Sequence, residues 1–561
     1  MTGRFDVAIV GSGFAGSILA RSLAGRGLRV ALLERGRHPR FALGESSTPL
    51  AAIALERLAG RYGLADLRAL AAYGRWLREL PALRRGLKRG FTFLEHRAGQ
   101  RLGPPPDAPR LAAGRLLVAA SPNDEVADSH WLRSDVDAHL VERAIAEGVD
   151  YRDGVELRAA AEEPGGVRLS GLRNGRPLGL AAGFVVDASG PGRFLARHLP
   201  IPEAPGPARI ESSFLYGHFE GIVPLAEAAS DLGPPGPYPD ERAAVHHLLE
   251  EGWMYMLPFD DGLVSAGIEM PSRPPGWAAA PPGPEGGFRE GAAGDPEAAF
   301  HRIAARYPTL AAQLGRARAV EPVRFVPRLQ YRLSAAAGRR WLLLPGSFAA
   351  TGPLFSTGIA WSLVAVERAA RLLEPGAPEP AGLERYGALL AQEADWIERL
   401  VAGALRLGRR FEHFAAWSLL YFAAASFAEA SQRLIDRDGE GDEPWCWGPF
   451  LGAGDPVWTG ALAEAERRVA PAGEGGGREP QLRAGPEGED SGAAFERWVL
   501  GAIAPRDLCG FDLPERRGLH PVDLETLVAR AGRLGLDPGA VGAALPRLRG
   551  GPLRDRGTIR P

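Results

Sequence analysis

Residues 4–16 read RFDVAIVGSGFAG, a short apolar run that ends at Gly11 and leads into the glycine pattern GxGxxG. A helical pattern follows from Ala15 to Ala24, and a second apolar run, LRVALL, occupies residues 28–33. This order predicts a βαβ unit. An acidic residue, Glu34, ends the second strand, so the glycine pattern stands in the context that dinucleotide binding requires.

Each glycine of the pattern has a separate physical role. Gly11 permits the tight turn, Gly13 lets a pyrophosphate approach the backbone, and Gly16 packs the helix on the strand. The helix N-terminus faces the phosphates, and the Glu34 carboxylate accepts hydrogen bonds from ribose hydroxyls. The alternative is a glycine turn that merely starts a helix. The predicted cofactor-binding residues here are Gly11, Gly13, Phe14, Ala15, Gly16, Glu34 and Arg35.

Two later segments favour FAD over NAD. Asp187-Ala188-Ser-Gly190 closes a strand, and a glycine turn near 346–358 precedes a long helix pattern. This layout resembles the FAD-binding fold of the aromatic hydroxylase and glutathione reductase class. No second GxGxxG lies in a βαβ frame, so the sequence shows no stable NAD(P)H domain.

Composition narrows the class of protein. With 561 residues, 45% apolar and 24% charged, the chain is long enough for two to four globular domains. A net charge of −2 gives no electrostatic case for nucleic acid. Two cysteines without metal-ligand spacing predict no metal site and a reducing cytoplasm. The strand pattern starts too early for a signal peptide, and the longest apolar run, 414–428, is too short to cross a bilayer.

The patterns along the chain predict an α/β protein. A Rossmann-type FAD-binding domain with three-layer ββα architecture carries an inserted mixed β-sheet substrate domain and a C-terminal helical lobe. Amphipathic helices are predicted from Leu50 to Leu87. The predicted units are an FAD-binding domain at 1–204 and 336–376, a substrate domain at 205–335, a helical lobe at 377–470, a disordered linker at 471–492 and a small helical tail at 493–561.

Several segments resemble flavin-dependent halogenases, over about residues 1–375. Glu34 to Pro49 is similar to the family's PR…GES segment beside the flavin, and Lys88 to Phe93 is similar to the KxGxxF segment of carrier-type halogenases. Arg133 to Asp137 matches a flavin-site arginine at a helix entrance. Residues 353–358, PLFSTG, are similar to the loop that holds halide beside the flavin ring.

The resemblance implies that reduced FAD, oxygen and chloride or bromide yield hypohalous acid, which reaches a lysine through a tunnel. Backbone amides at Thr357 and Gly358 would bind the halide. Lys88 is the single lysine among 66 basic residues, and its amine can lose a proton on burial, which arginine cannot readily do. The alternative is an exposed lysine beside Arg84, Arg85 and Arg89.

The resemblance also assigns the remaining site residues. Catalytic roles fall to Lys88 and Glu45. Further cofactor contacts are assigned to Ser46, Arg133, Asp187, Ala188, Gly190, Gly346, Ser347, Gly358 and Ile359. The substrate-lining residues are Trp253, Tyr255, Pro258 and Phe355.

The sequence departs from the family at three places. The WxWxIP signature becomes WMYMLP at 253–258, which replaces an indole by Tyr255. The glycine–aspartate pair at the flavin ribityl chain is Gly346-Ser347, and the aspartate before the PxFS loop is Gly352. Serine can donate and accept a hydrogen bond but lacks the carboxylate charge.

Some residues leave alternatives open. Glu45 either belongs to the cofactor site or caps the helix predicted at residue 50. Helical spacing, which is typical of core packing, relates four aromatic residues: Phe414, Trp417, Tyr421 and Phe422. An apolar substrate tunnel or a membrane-surface contact is the alternative. His246 and His247 lack partners at metal-ligand spacing and are predicted on a sheet surface.

The sequence leaves three alternative functions open. The first is a two-component halogenase that acts on an aromatic substrate, carrier-tethered or free, with a separate flavin reductase. The second is a flavin monooxygenase or reductase of the same fold that acts on a hydrophobic metabolite. The third is a non-catalytic flavin-binding protein.

Overall fold

The computed structural model describes residues 4–103, 114–205, 209–232, 236–270, 295–374, 376, 378–434, 444–445, 447–469 and 492–548. Its strands are β1 (Phe5–Val10), β2 (Val30–Leu33), β3 (Arg85–Lys88), β4 (Gly90–Glu95), β5 (Arg115–Ala119), β6 (Asp128–Trp131), β7 (Asp150–Arg152), β8 (Val155–Glu163), β9 (Gly166–Arg173), β10 (Arg176–Asp187), β11 (Ser213–Glu220), β12 (Ala244–Leu248), β13 (Trp253–Pro258), β14 (Val264–Met270), β15 (Arg318–Ala319), β16 (Arg324–Val326), β17 (Tyr331–Arg332), β18 (Ala337–Gly338), β19 (Trp341–Leu343), β20 (Ala349–Ala350) and β21 (Leu519–His520).

Its helices are α1 (Phe14–Ala24), α2 (Pro49–Tyr62), α3 (Ala65–Leu70), α4 (Tyr73–Glu79), α5 (Arg133–Ala146), α6 (Phe194–His198), α7 (Leu225–Ala228), α8 (Pro296–Ala304), α9 (Pro308–Leu314), α10 (Pro345–Phe348), α11 (Thr357–Leu373), α12 (Pro380–Leu407), α13 (Phe411–Leu434), α14 (Pro456–Val469), α15 (Gly492–Ile503), α16 (Leu524–Ala529) and α17 (Pro538–Leu548).

The first sheet is built around the N-terminal apolar run. Strands β19, β10, β1, β2 and β7 lie side by side and parallel. The apolar residues of β1 and β2 are buried because helices and further strands cover both faces. Helices α1, α2 and α11 pack against one another beside the sheet. The predicted Rossmann-type α/β architecture is confirmed.

A long antiparallel arm extends from this sheet. Strands β8, β9 and β10 form a meander, and β10 continues into the parallel sheet beside β1. Strand β10 therefore belongs both to the antiparallel arm and to the parallel sheet. The arm supplies the extra β layer of the three-layer architecture.

The second sheet is larger than the predicted substrate domain. Its order is β15-β11-β14-β13-β12-β4-β5-β21, with β16 also on β11. Strands β4 and β5 come from residues 90–119, before the predicted boundary at 205, and β21 comes from the tail. The 205–335 range is therefore too narrow for this sheet, because strand pairing joins segments that lie far apart in sequence.

Two local expectations from the sequence are wrong. The helices predicted up to Leu87 end with α4 at Glu79, and residues 85–88 form β3 instead. His246 and His247 lie in β12 and are fully buried rather than on a surface. His246 stacks on Phe93 and on Trp253, with ring centroids 4.7 and 5.2 Å apart, so the histidine belongs to an aromatic core.

The C-terminal part of the chain packs on the rest of the molecule. Helices α12 and α13 pack together, and α15 packs on α13. Residues 471–491 of the predicted linker 471–492 lie outside the described residues, whereas its last residue, Gly492, begins α15. None of the described helices combines the length and the apolarity that crossing a bilayer demands.

Candidate functional site

The carboxyl ends of three neighbouring parallel strands form a crevice. Val10 pairs with Asp187, and Asp187 pairs with Leu343, so the turns that follow β1, β10 and β19 lie at the same sheet edge. Gly11 has a φ of +105°, and a Cβ there would lie 2.4 Å from the Ala188 carbonyl oxygen. This close approach requires glycine. Nucleotides bind at such edges in open α/β sheets.

Glu34 lies at the end of β2, next to the glycine turn. Its carboxylate accepts hydrogen bonds from the Ser12 backbone N–H at 3.1 Å, from the Ser12 hydroxyl at 2.9 Å and from the Gly36 N–H at 2.8 Å. Burial opposes its ionisation, but Arg40 and these hydrogen bonds hold the pKa of Glu34 below its usual value. Glu34 is therefore a charged acceptor at the position predicted for ribose recognition, whereas Arg35 is exposed.

Arg133 opens helix α5 and fixes the segment before Glu45. Its guanidinium donates to both oxygens of Asp137 at 2.9 Å and to the carbonyls of Leu43 and Gly44 at 2.8 and 3.1 Å. Asp137 also accepts from the Phe14 backbone N–H at 3.0 Å. The pair therefore connects the first turn of α1 with the loop that leads to Glu45.

Asp187 and Ser347 tie two turns of the crevice together. Asp187 is fully buried and accepts from the Ser189 N–H and hydroxyl, from the Leu195 N–H and from the Ser347 hydroxyl, at 2.6–2.9 Å. The Ser347 hydroxyl also accepts from the Gly190 N–H at 2.9 Å. Burial nevertheless raises the pKa of the Asp187 carboxyl. All these partners are protein groups, so Asp187 positions the turn.

The bare backbone along this crevice fits an FAD molecule. A Cβ added at Gly190 or Gly358 would meet no atom within 4 Å, which leaves open space beside both turns. Ala188 lies against Gly11, Gly346 lies next to Gly190, and Ile359 is buried in the first turn of α11. The first turns of α1, beyond the Phe14 N–H that Asp137 accepts, and of α11 present backbone amides that suit phosphate and flavin oxygens.

The loop predicted to hold halide contacts the GES segment. Ser356 has a φ of +53° and is the N-cap of α11. Its hydroxyl donates to the Ser46 hydroxyl at 3.1 Å. Thr357 is buried and Gly358 is exposed at the helix start, where unpaired amides attract an anion. The structure thus brings together two segments that lie 310 residues apart in the chain.

Lys88 lies on the far side of the same segment and is fully buried. Its ammonium donates to the Ser47 carbonyl at 2.6 Å and lies 4.1 Å from the centroid of the Phe91 ring. Burial lowers the pKa of the Lys88 amine, and the charge of Asp128 opposes that shift. The alternative of an exposed lysine is wrong, because strand β3 points the side chain inward.

Lys88 faces Asp128 across two paired strands. The two residues are directly opposite in the β3–β6 ladder. Asp128 is buried, and burial raises the pKa of its carboxyl while Lys88 opposes the shift. Asp128 and Phe91 both line a cavity of about 190 Å³, so Lys88 lies directly behind the cavity wall.

The cavity collects residues from distant parts of the chain. Its lining includes helix α2, helix α13, the segment after β5 and the C-terminal tail. All four residues of this aromatic run are buried in the core, and Tyr421 and Phe422 also line the cavity. Core packing is therefore confirmed, and the substrate tunnel stays a prediction. From the tail, the lining residues are Leu508, Cys509, Phe511, His520, Pro521, Val522, Asp523, Leu524 and Leu527.

None of the four predicted substrate-lining residues lines this cavity. Phe355 stacks behind Tyr421, with ring centroids 4.5 Å apart. Trp253 donates to Glu269 at 3.0 Å and Tyr255 approaches Ser265, both within the second sheet. The Pro258 carbonyl lies 3.1 Å from the His130 ring nitrogen. The sequence did not single out Asp128 or the tail, because no motif links them to the lysine.

Glu45 contacts His218 of β11 and does not cap a helix. Helix α2 begins at Pro49 with Thr48 as N-cap. One Glu45 carboxylate oxygen lies 2.9 Å from His218 Nε2. Burial opposes protonation of His218, but the hydrogen bond and charge of Glu45 raise its pKa above the usual value. The helix-capping alternative is therefore wrong. Among the described residues, no group of three or more potential ligands could hold a metal ion.

Comparisons with known proteins show the family of this chain. The sequence model of the family described as "FAD dependent oxidoreductase" matches residues 6–372. The chain is 29% identical to tetracycline 7-halogenase of Kitasatospora aureofaciens, over 79% of this chain and 77% of that protein. It is 28% identical to monodechloroaminopyrrolnitrin halogenase PrnC of Pseudomonas fluorescens, over 71% of this chain and 65% of that protein.

Solved structures share the fold. The crystal structure of halogenase PltM has a TM-score of 0.76 at 21% identity and covers 91% of this chain and 99% of that one. PltM in complex with phloroglucinol and FAD gives a TM-score of 0.67 at 20% identity, over 95% of each chain. The resemblance inferred from the sequence motifs is confirmed by these relatives.

Proposed function

Because the chain belongs to the FAD-dependent oxidoreductase family, we propose that it is a flavin-dependent halogenase that acts on a small electron-rich aromatic compound. The observation that carries this proposal is the position of Lys88. It is the single lysine of the chain, and it lies between the Ser46–Ser47 segment and the cavity.

The residues between the nucleotide crevice and the cavity would each have a different role. Bound reduced FAD would supply, with oxygen and halide, hypohalous acid at the crevice. The amides at the start of α11 would bind the halide, since helix N-termini favour anions. Ser356 and Ser46 hold the halide loop against the segment that carries the Lys88 hydrogen bond.

Lys88 would receive the hypohalous acid and present the halogen to the substrate. Burial favours its neutral amine, which has a lone pair, while the ammonium form donates hydrogen bonds. Phe91 and Asp128 in the cavity wall would hold the ring, with Lys88 directly behind that wall. Apolar lining residues such as Phe91, Phe422 and Leu451 would limit the water that could consume the oxidant.

The proposal also covers the form of the substrate, the source of reduced flavin and the location of the enzyme. The substrate is a free phenol rather than a carrier-tethered molecule, since PltM has been crystallised with phloroglucinol. A separate reductase supplies reduced flavin, because the sequence contains no second dinucleotide pattern. The enzyme works in the cytoplasm, where such a reductase has access to NAD(P)H.

The test supplies FAD, a flavin reductase, NADH and oxygen with phloroglucinol, in the presence of chloride, of bromide or of neither. We expect a halogenated product only with halide, measured by mass spectrometry. The same ring attached to a carrier protein serves as the comparison substrate. A product that gains oxygen without halogen indicates the monooxygenase alternative. Absence of FAD binding, with no quenching of flavin fluorescence, contradicts the whole proposal.

A further inference from the structure

We infer that Asp128 binds the substrate and selects rings that carry a hydroxyl or N–H group beside the carbon to be halogenated. The inference rests on the proposed function and deepens it, because it names a substrate class. It concerns a residue outside the sequence segments that resemble the halogenases.

The position of Asp128 brings it next to the reacting group. It begins strand β6 and is paired with Lys88 of β3. Its side chain lines the cavity together with Phe91, whose ring also contacts the Lys88 ammonium. A ring in the cavity at this wall therefore meets the carboxyl, and Lys88 lies directly behind Phe91 in the same wall.

One oxygen of Asp128 is free to accept a hydrogen bond. Its Oδ2 is buried, and no described residue provides a hydrogen-bond partner for it. The Lys88 ammonium donates instead to the Ser47 carbonyl. Buried carboxylate oxygens without a partner are costly and rare, so a ligand group that donates here gains a strong hydrogen bond.

The other acidic residues of the cavity differ from Asp128. Glu56 pairs with Arg75 at 3.3 Å, and Glu429 pairs with Arg433 at 2.9 Å. Asp523 is paired with Arg516. These arginines neutralise their partners, although one Glu56 oxygen, Oε2, is also buried without a hydrogen-bond partner. Asp128 is thus the acidic lining residue, among those the structure describes, that no arginine contacts.

The chemistry of halogenation explains why such a residue is useful. An electrophilic halogen attacks the carbons next to a hydroxyl or N–H group because these groups donate electron density to the ring. A carboxylate that accepts the O–H or N–H hydrogen bond increases this donation and fixes the ring by one edge. Asp128 would therefore set both which rings bind and which carbon faces Lys88.

The experiment measures binding separately from turnover. Phloroglucinol and its trimethyl ether have the same ring, but the ether has no donor. Their dissociation constants are measured by calorimetry on the FAD-loaded enzyme without reductant. We expect wild type to prefer phloroglucinol, and Asp128→Asn to weaken phloroglucinol about 10- to 100-fold with little effect on the ether. Glu429→Gln, in the same cavity but paired with Arg433, is the matched control and should leave the preference unchanged.

Each outcome decides the inference. It is overturned if wild type binds both compounds equally or binds neither, or if Asp128→Asn keeps the preference. It stands if Asp128→Asn removes the preference, even where the product proves to be oxygenated rather than halogenated, so failure of the halogenase proposal is seen separately. Asp128→Ser provides a second, smaller variant if Asp128→Asn does not fold, as judged by circular dichroism.

Discussion

Two buried aspartates, one at each end of the site, have opposite environments. Asp187, in the nucleotide crevice, accepts hydrogen bonds from four protein donors. Asp128, in the cavity wall, has an oxygen with no partner among the described residues. Burial raises the pKa of both carboxyls. Both carboxyls are therefore desolvated, and they differ in the number of hydrogen-bond donors that the protein provides.

This difference indicates two uses of a buried acid. Asp187 holds the turns after β10 and β19 in place, so that backbone amides and glycines can meet a cofactor. Asp128 has an oxygen that can accept a hydrogen bond from a ligand. A fully satisfied buried group stabilises the fold, whereas an unsatisfied one costs stability until a ligand binds. The following predictions test this contrast.

The largest effect is expected at the cavity end, from Lys88→Met. Loss of the amine should reduce halogenated product about 10²- to 10⁴-fold, the range typical of a lost acid–base group. FAD affinity should stay within about twofold, since Lys88 contacts the Ser47 carbonyl and no residue of the glycine turn. Product mass spectrometry and flavin fluorescence titration measure the two properties. Normal halogenation by this variant refutes the assigned role of Lys88.

At the nucleotide end, Asp187→Asn should lower the free energy of unfolding by about 3 kcal/mol. The amide retains one oxygen, so some of the four donors lose their acceptor. Urea unfolding measures the change. Asp128→Asn is the paired variant and should cost less, because its free oxygen has no donor to lose. Equal losses in the two variants contradict the contrast drawn above.

Ser347 gives a smaller effect. Ser347→Ala removes one hydrogen bond to Asp187 and leaves the Gly190 N–H without its acceptor, at a cost of about 1 kcal/mol. Ser347→Asp restores the family's residue but places a second carboxylate beside Asp187. We expect it to weaken FAD binding, because like charges at this distance repel. Tighter FAD binding by Ser347→Asp contradicts this expectation.

The smallest effect is expected from Glu45→Gln. The pKa of His218 is raised in the folded protein, so its contribution to stability is fully present below about pH 6.5 and lost as pH rises through the folded-state pKa. The variant should therefore lose about 1 kcal/mol or less at acidic pH and less still at alkaline pH. Urea unfolding across this pH range, with NMR titration of His218, checks the sign.

The nucleotide crevice was predictable because its determinants are local. Gly11, Gly13, Gly16 and Glu34 lie within a few turns of chain, and their spacing follows from strand and helix geometry. The segments around Lys88 and Ser356 were found by resemblance to a family. Their contact through Ser46 follows from the packing of α11 beside α2, which no single segment encodes.

The cavity end was not predictable in the same way. The four residues expected to line it lie elsewhere in the second sheet or behind Tyr421. The tail, which had no assigned role, contributes Phe511 and His520 to the lining. Asp128 sits in a short strand without any recognisable pattern. Its relation to Lys88 depends on the register of β3 against β6.

By itself the sequence determined the βαβ start, the glycine turn and the supply of a single lysine, since these depend on residues close together in the chain. Only the tertiary structure decided that this lysine is buried, which acid faces it and which segments enclose the space beside it. Strand register and helix packing join residues hundreds of positions apart, and burial then sets their protonation and their free hydrogen-bonding groups.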